Sequence, residues 1–135
     1  MNLVDTSPLV ALIDSGQGKH QECVSVVAKL AGPMLTTVPC FTEAMYLLGR
    51  VRGWPGQRML WRLSESGALF IHRADSNEHR RMRVLMEKYQ DTPMDLADAS
   101  LVAAAEHLGL KRVFTLDSDF YVYRINDRDA FEVIP

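Results

Sequence analysis

The chain has 135 residues, 47% of them hydrophobic and 24% charged, and a formal net charge of −2. That is the balance of a soluble globular protein, long enough to bury a core as one domain over residues 1–135 without disulfide staples. No apolar stretch approaches the ~18 residues needed to span a membrane, and the opening Met1-Asn2-Leu3-Val4-Asp5 meets a carboxylate where a leader peptide would carry basic and then apolar residues. A cytoplasmic protein with no membrane partner is expected. Cys23 and Cys40 show neither metal-ligand spacing nor a disulfide framework and are expected as reduced thiols in or near the core. The slightly acidic total argues against nucleic-acid binding through bulk electrostatics alone. It leaves metal-assisted phosphate chemistry open, because a carboxylate cluster lowers the total and a bound cation reverses its local sign.

In chain order, residues 2–5 form a short apolar run ending in an acid, the pattern of a buried strand. Thr6-Ser7-Pro8 offers a cap and an early helical proline for a short helix carrying Leu9, Val10, Leu12 and Ile13, which Gly16 and Gly18 end. Residues 19–31 place Cys23, Val24, Val26, Val27 and Leu30 at a mostly helical period. A second strand is expected over 34–38, and Pro39 opens a helix with Phe41, Ala44, Met45, Leu47 and Leu48 inward. Gly53-Trp54-Pro55-Gly56 reads as a turn before a helix over about 57–66, and 69–71 as a third strand. A basic helix follows over about 76–89. Thr92-Pro93-Met94-Asp95 has the form of a capping box with proline in the first helical position, opening an Ala-rich helix that runs to Gly109. Residues 113–116 and 131–134 supply the last strands, with a hairpin expected between them from the Tyr121 region to Phe131. Strands separated by helices imply βαβ units. The expected fold is therefore α/β, a three-layer α/β/α sandwich around a mainly parallel sheet of four to five strands.

On such a sheet, ligands bind at the carboxyl ends of the strands. Asp5 and Asp117 each follow a strand, Glu43 lies in the first turns of the helix after the second, and Asp98 lies about one turn into the helix opened at Pro93. All four map to one sheet edge. Taken singly none is decisive: Asp5, Asp117 and Asp119 can be turn residues and Asp95 a capping acid, Glu43 alone is uninformative, and Asp98 has the weakest such excuse because it lies past the expected cap with Val102 and Ala105 apolar on its face. Gathering them costs energy, since two carboxylates ~5 Å apart repel by roughly 3 kcal/mol at an effective dielectric of ~20. A hard divalent cation such as Mg²⁺ or Mn²⁺ offsets that cost and suits an all-oxygen donor set. Its natural chemistry is phosphodiester hydrolysis.

Four segments in order, Leu3-Val4-Asp5-Thr6-Ser7-Pro8-Leu9, Thr42-Glu43-Ala44, Asp95-Leu96-Ala97-Asp98-Ala99 and Phe114-Thr115-Leu116-Asp117-Ser118-Asp119-Phe120, resemble the PIN-domain family, and most closely its VapC-type toxins. The resemblance runs across nearly the whole chain. It implies an α/β/α fold and a Mg²⁺- or Mn²⁺-dependent endoribonuclease with Asp5, Glu43, Asp98 and Asp117 as its acidic quartet. It also implies Asp119 as a further metal acid, and Asp95, Thr6 and Thr115 as supporting residues. Asp5, Asp98 and Asp117 would hold the metal, and Glu43 would bind a second ion or orient the attacking water. The partners implied are an RNA substrate, with transfer RNA a candidate, a cognate antitoxin protein and a second copy of the chain.

Arg80-Arg81-Met82-Arg83 is the densest basic run, and Arg50 and Arg52 close the Glu43 helix; each is a candidate for RNA phosphate contact or a solvated helix face. Trp54 and Trp61 suit an interface or a half-buried packing position. His20, His72, His79 and His107 are scattered and expected at the surface or at helix caps. Two competing functions remain. One is a catalytically inactive PIN-like RNA-binding or scaffold module. The other is phosphotransfer, but no lysine follows Asp117 as a receiver requires, and Asp5 is followed by Thr6-Ser7 where a dehalogenase-type phosphatase needs a second acid.

Overall fold

The alternation of apolar runs and amphipathic stretches becomes strands joined by helices in a computed structural model that describes residues 1–135. The elements are β1 (Asn2–Val4), α1 (Thr6–Ile13), α2 (His20–Lys29), β2 (Met34–Thr37), α3 (Val38–Arg52), α4 (Trp54–Glu65) and β3 (Leu69–His72). Then come α5 (Ser76–Lys88), α6 (Leu96–Leu108), β4 (Arg112–Phe114), a 3-10 turn (Ser118–Tyr121), β5 (Arg124–Ile125), β6 (Asp129–Ala130) and β7 (Glu132–Ile134). Five strands form one sheet in the order β3-β2-β1-β4-β7, and every neighbouring pair is parallel. The expected three-layer sandwich is present, with five strands. No helix is long and apolar enough to cross a membrane.

Side-chain alternation along the strands divides the interior in two. Leu3, Leu35 and Val113 enter a core shared with α5 and α6, while Val4, Met34 and Phe114 enter one shared with α1, α3 and α4. Strands covered on both faces read as continuous apolar runs, as these do. Helix α6 is buried all round over residues 97–105, mostly alanines, where it packs against α5, α3, β2 and β5. Small side chains let the surrounding elements approach its backbone closely.

Three helix starts differ from the sequence expectation. The capping box is not at Thr92-Pro93. Instead the N–H groups of Thr92 and Met94 bond to the Tyr89 carbonyl in a turn, and α6 begins behind Asp95. Asp95 and Asp98 cap each other reciprocally, an all-acid version of a motif usually sought as Ser or Thr with Glu. At α3 the Thr37 hydroxyl accepts the Cys40 N–H, and Pro39 sits inside the first turn. The predicted four-residue turn before α4 shrinks to Gly53, whose φ of 66° lets α3 and α4 abut; Pro55 falls in the first turn of α4, where a missing N–H costs nothing.

The expected C-terminal hairpin is the antiparallel β5–β6 pair, turning through Asn126 and Asp127 at positive φ, while β7 lies along β4 at the sheet edge. Tyr123, fully buried, packs edge-on against Phe120 and Tyr89 with ring centroids 5.1 Å apart in each case and fixes the segment before the hairpin. The close packing of α6 yields a test. Ala104→Leu should destabilise the protein by about 1–3 kcal/mol through overpacking, read as a lower Tm; an unchanged Tm would mean the helix has room the packing does not show.

Candidate metal centre and active site

Three chain segments bring carboxylates to the carboxyl edge of the sheet. Asp5 directly follows β1 as the N-cap of α1, Asp98 is the third residue of α6, and Asp117 follows β4 as the N-cap of the 3-10 turn. One oxygen from each lies within 4.8 Å of the other two. They open into a cleft of about 210 Å³ also walled by Glu43, Asp95, Thr6, Ser7 and Gln17. No lysine or arginine lines it.

Each carboxylate is held by backbone and hydroxyl donors. Asp5 accepts the Thr6 N–H at 2.7 Å on one oxygen and the Thr115 hydroxyl at 2.8 Å on the other. The Thr115 hydroxyl also accepts the Asp117 N–H at 3.0 Å, so one oxygen atom links β1 to the turn after β4. Asp98 accepts the Tyr123 hydroxyl at 3.1 Å and the Asp95 N–H at 3.3 Å. Asp117 accepts the Asp119 N–H at 2.9 Å.

Burial works against these charges. It is the main reason that the Asp98 carboxyl is pushed up to about 7, with Asp95 and Asp5 adding repulsion. Asp5 is also raised, chiefly by burial, although Thr115 and Thr6 pull it back and Asp117 and Asp95 push it further. Glu43 is raised for the same leading reason, then by Asp95 and Asp5. An enclosed group of carboxylates with no cation from the chain is a donor set for a hard metal ion. The residues present fit one.

The sequence-derived site residues fall into distinct places. Asp5, Asp98 and Asp117 form the tight group; Glu43 and Asp95 line the cleft from exposed positions on α3 and the α6 cap. Asp119 lines no part of the cleft and stands outside the group; its carboxyl is raised by some burial and by Asp117. Thr115 supports Asp5 through its hydroxyl as expected, whereas the Thr6 hydroxyl bonds the Cys40 carbonyl and ties α1 to α3. Arg50, Arg80, Arg81 and Arg83 are all absent from the cleft walls. Arg81 is committed elsewhere, paired with Glu106 at 2.7 Å and Asp127 at 3.0 Å, so it clamps α5 to α6 and the hairpin. Arg80 bonds Asn77, Arg83 faces Glu87, and Arg50 lies over the Tyr46 ring. Arg52 pairs with Asp14.

Sequence reasoning missed Tyr123 and Gln17. Tyr123 gave no signal, because only the folded hairpin brings it to Asp98. A second cluster, Asp75, Glu78 and His107, also brings ligand atoms within 4.8 Å, but Asp75 and Glu78 cap α5 reciprocally, and Glu78 holds His72 at 2.7 Å.

A family profile for the PIN domain matches residues 3–126. The chain belongs to the PIN domain family. Among its PIN-domain relatives, Ribonuclease VapC26 of Mycobacterium tuberculosis is 25% identical over 98% of this chain and 99% of its own. The crystal structure of Mycobacterium tuberculosis VapC20, described as a sarcin–ricin loop cleaving toxin, superposes with a TM-score of 0.85 at 18% identity, covering 100% of both chains. A toxin–antitoxin complex from Klebsiella pneumoniae gives 0.72 at 20% identity, covering 100% of this chain and 97% of that one. The PIN fold expected from sequence is the fold observed.

The raised acids make stability depend on pH. A carboxyl with a folded pKa near 7 against an ordinary value of 3.8 binds more protons folded than unfolded between those values, so metal-free stability falls as pH rises through that window. A metal-free melt series from pH 5 to pH 8 should show a declining Tm, restored by a divalent ion, and Asp98→Asn should flatten the decline. A Tm that climbs over this range in the metal-free protein would contradict the site electrostatics.

Proposed function

We propose that this PIN-domain chain is a divalent-metal-dependent endoribonuclease and the toxin of a toxin–antitoxin pair, acting in the cytoplasm as one domain over residues 1–135. The observation that carries the reading is the convergence of Asp5, Asp98 and Asp117 within 4.8 Å in a cleft without a basic side chain. The reading is supported by the likeness to the ribonuclease VapC26 and to the toxin–antitoxin complex from Klebsiella pneumoniae.

Asp5, Asp98 and Asp117 would hold Mg²⁺ or Mn²⁺. When bound, such an ion polarises a phosphoryl oxygen and lowers the pKa of its water. The chain's own residues supply the rest. Thr115 orients Asp5 and positions Asp117 through one hydroxyl, and Tyr123 orients Asp98. Glu43, exposed on the cleft wall with a raised carboxyl, accepts a proton from or orients the attacking water. No histidine lines the cleft, so proton transfer falls to carboxylates and water.

The substrate is RNA. The VapC20 neighbour is a sarcin–ricin loop cleaving toxin, while the sequence resemblance makes transfer RNA a candidate. The partner is a separate antitoxin polypeptide that blocks the cleft, and a homodimer is the assembly proposed.

The decisive experiment is inducible expression of wild type beside Asp98→Asn, with growth and RNA integrity followed and the purified proteins assayed in Mg²⁺, Mn²⁺ and EDTA. Growth arrest and cleavage by wild type alone, abolished by chelation, are expected. RNA left intact by wild type in either ion would refute the reading. Tyr123→Phe should keep the fold but weaken metal affinity about 10- to 100-fold, the usual effect of losing a hydrogen bond to a metal ligand, measured by Mn²⁺ titration; unaltered affinity would deny Tyr123 that role.

A further inference from the structure

The carboxyl edge of the sheet carries more than the acidic cleft. Glu43, Asp95 and Ala97 wall both that cleft and a shallow groove over Val38, Pro39, Tyr46 and Leu96. Val38 and Pro39 then wall a separate depression of about 220 Å³ beneath β3 and α5. Pro39 and Glu43 are four residues apart on α3, a rise of ~6 Å. The three hollows thus share walls in succession, with the acids at one end.

The far depression has the opposite character to the cleft. Arg73, His72 and His79 stand at its rim, Ala74 and Met82 give it an apolar side, and Thr37 and Ser100 lie in its floor. Arg73 is exposed and takes part in none of the chain's ion pairs, unlike Arg81. It is a cation left free beside a site that must receive a polyanion.

The floor has a defined hydrogen-bonding sense. Ser100 donates to the Ala97 carbonyl at 2.6 Å, so at its 2.6 Å contact with Thr37 it accepts the Thr37 proton. Thr37 in turn accepts the Cys40 N–H at 3.4 Å. Both hydroxyl protons are then used, and the remaining lone pair on each oxygen can only accept. The volume lies below the ~300 Å³ typical of pockets for drug-sized ligands, which suits a single base.

We propose that this depression is a nucleotide subsite on the RNA path, taking one base with an exocyclic amino group against Met82 and Ala74 while Arg73 contacts a flanking phosphate. It rests on the ribonuclease reading and adds where the strand next to the cut bond is held. Neither Arg73 nor this pocket was marked by the basic runs in the sequence, since Arg73 stands alone between β3 and the α5 cap.

The test is fluorescence anisotropy of labelled oligo(C) and oligo(U) on full-length Asp98→Asn protein in Mg²⁺, where the strand stays intact. Oligo(C) should bind at least about threefold more tightly than oligo(U). Arg73→Glu should weaken both about tenfold by removing a phosphate contact, and Ala74→Trp, which fills the pocket, should erase the preference for oligo(C). Both substitutions are checked by Tm; should Ala74→Trp fail to fold, Arg73→Glu and the base preference decide. Equal binding of the two strands, or unaltered binding in Arg73→Glu, overturns the subsite. Cleavage by wild type with either of those results leaves the ribonuclease reading standing without it. Conversely, a subsite that behaves as expected in a protein that cuts no RNA separates RNA binding from catalysis.

Discussion

Like charges forced together at one edge of a parallel sheet are what the rest of this molecule is arranged to tolerate. Asp5, Asp98 and Asp117 reach the same spot by the same device. Each sits in the first turn or at the cap of a helical segment and takes a backbone N–H there, from Thr6, Asp95 and Asp119 respectively. Helix N-termini carry partial positive charge, and those of α1 and α6, at which Asp5 and Asp98 sit, offset part of the repulsion. The remainder stays as a raised pKa on Asp5 and Asp98. The candidate cation site is thus also a weak point of the metal-free fold.

That device also explains how far the sequence could be read. The parallel sandwich was legible because strands buried on both faces appear as plain apolar runs, Leu3-Val4 and Val113-Phe114 among them, and because Gly and Pro punctuate the helices between them. The acids were legible as a set and ambiguous singly, since an N-cap aspartate and a metal aspartate look identical in a string. Asp5 and Asp117 are N-caps and also members of the acidic group. The start of α6 was misplaced for a related reason: Asp98 belongs to the cap instead of lying past it, and its partner Asp95 replaces the hydroxyl residue usually sought.

What the string hid is what depends on distance along the chain. Tyr123 meets Asp98 only after the last hairpin folds over α6, and Thr115 bridges two acids that are far apart in sequence. The basic run was legible as a charge cluster, but not in its pairing. Arg81 belongs to the densest cluster yet is spent on Glu106 and Asp127, where its energetic return is the anchoring of the hairpin that carries Tyr123's segment. A guanidinium in a charge run announces itself; whether it is free is a tertiary fact.

The central place of β1 in the sheet, between β2 and β4, has a temporal side. Asp5 leaves the ribosome well ahead of Thr115, whose hydroxyl orients it from 110 positions later in the chain. At ~5–20 residues per second, the first strand waits on the order of ten seconds for its neighbour and its chemistry. The acidic group therefore assembles late, only as the last helix and strands join the sheet that the first strand began.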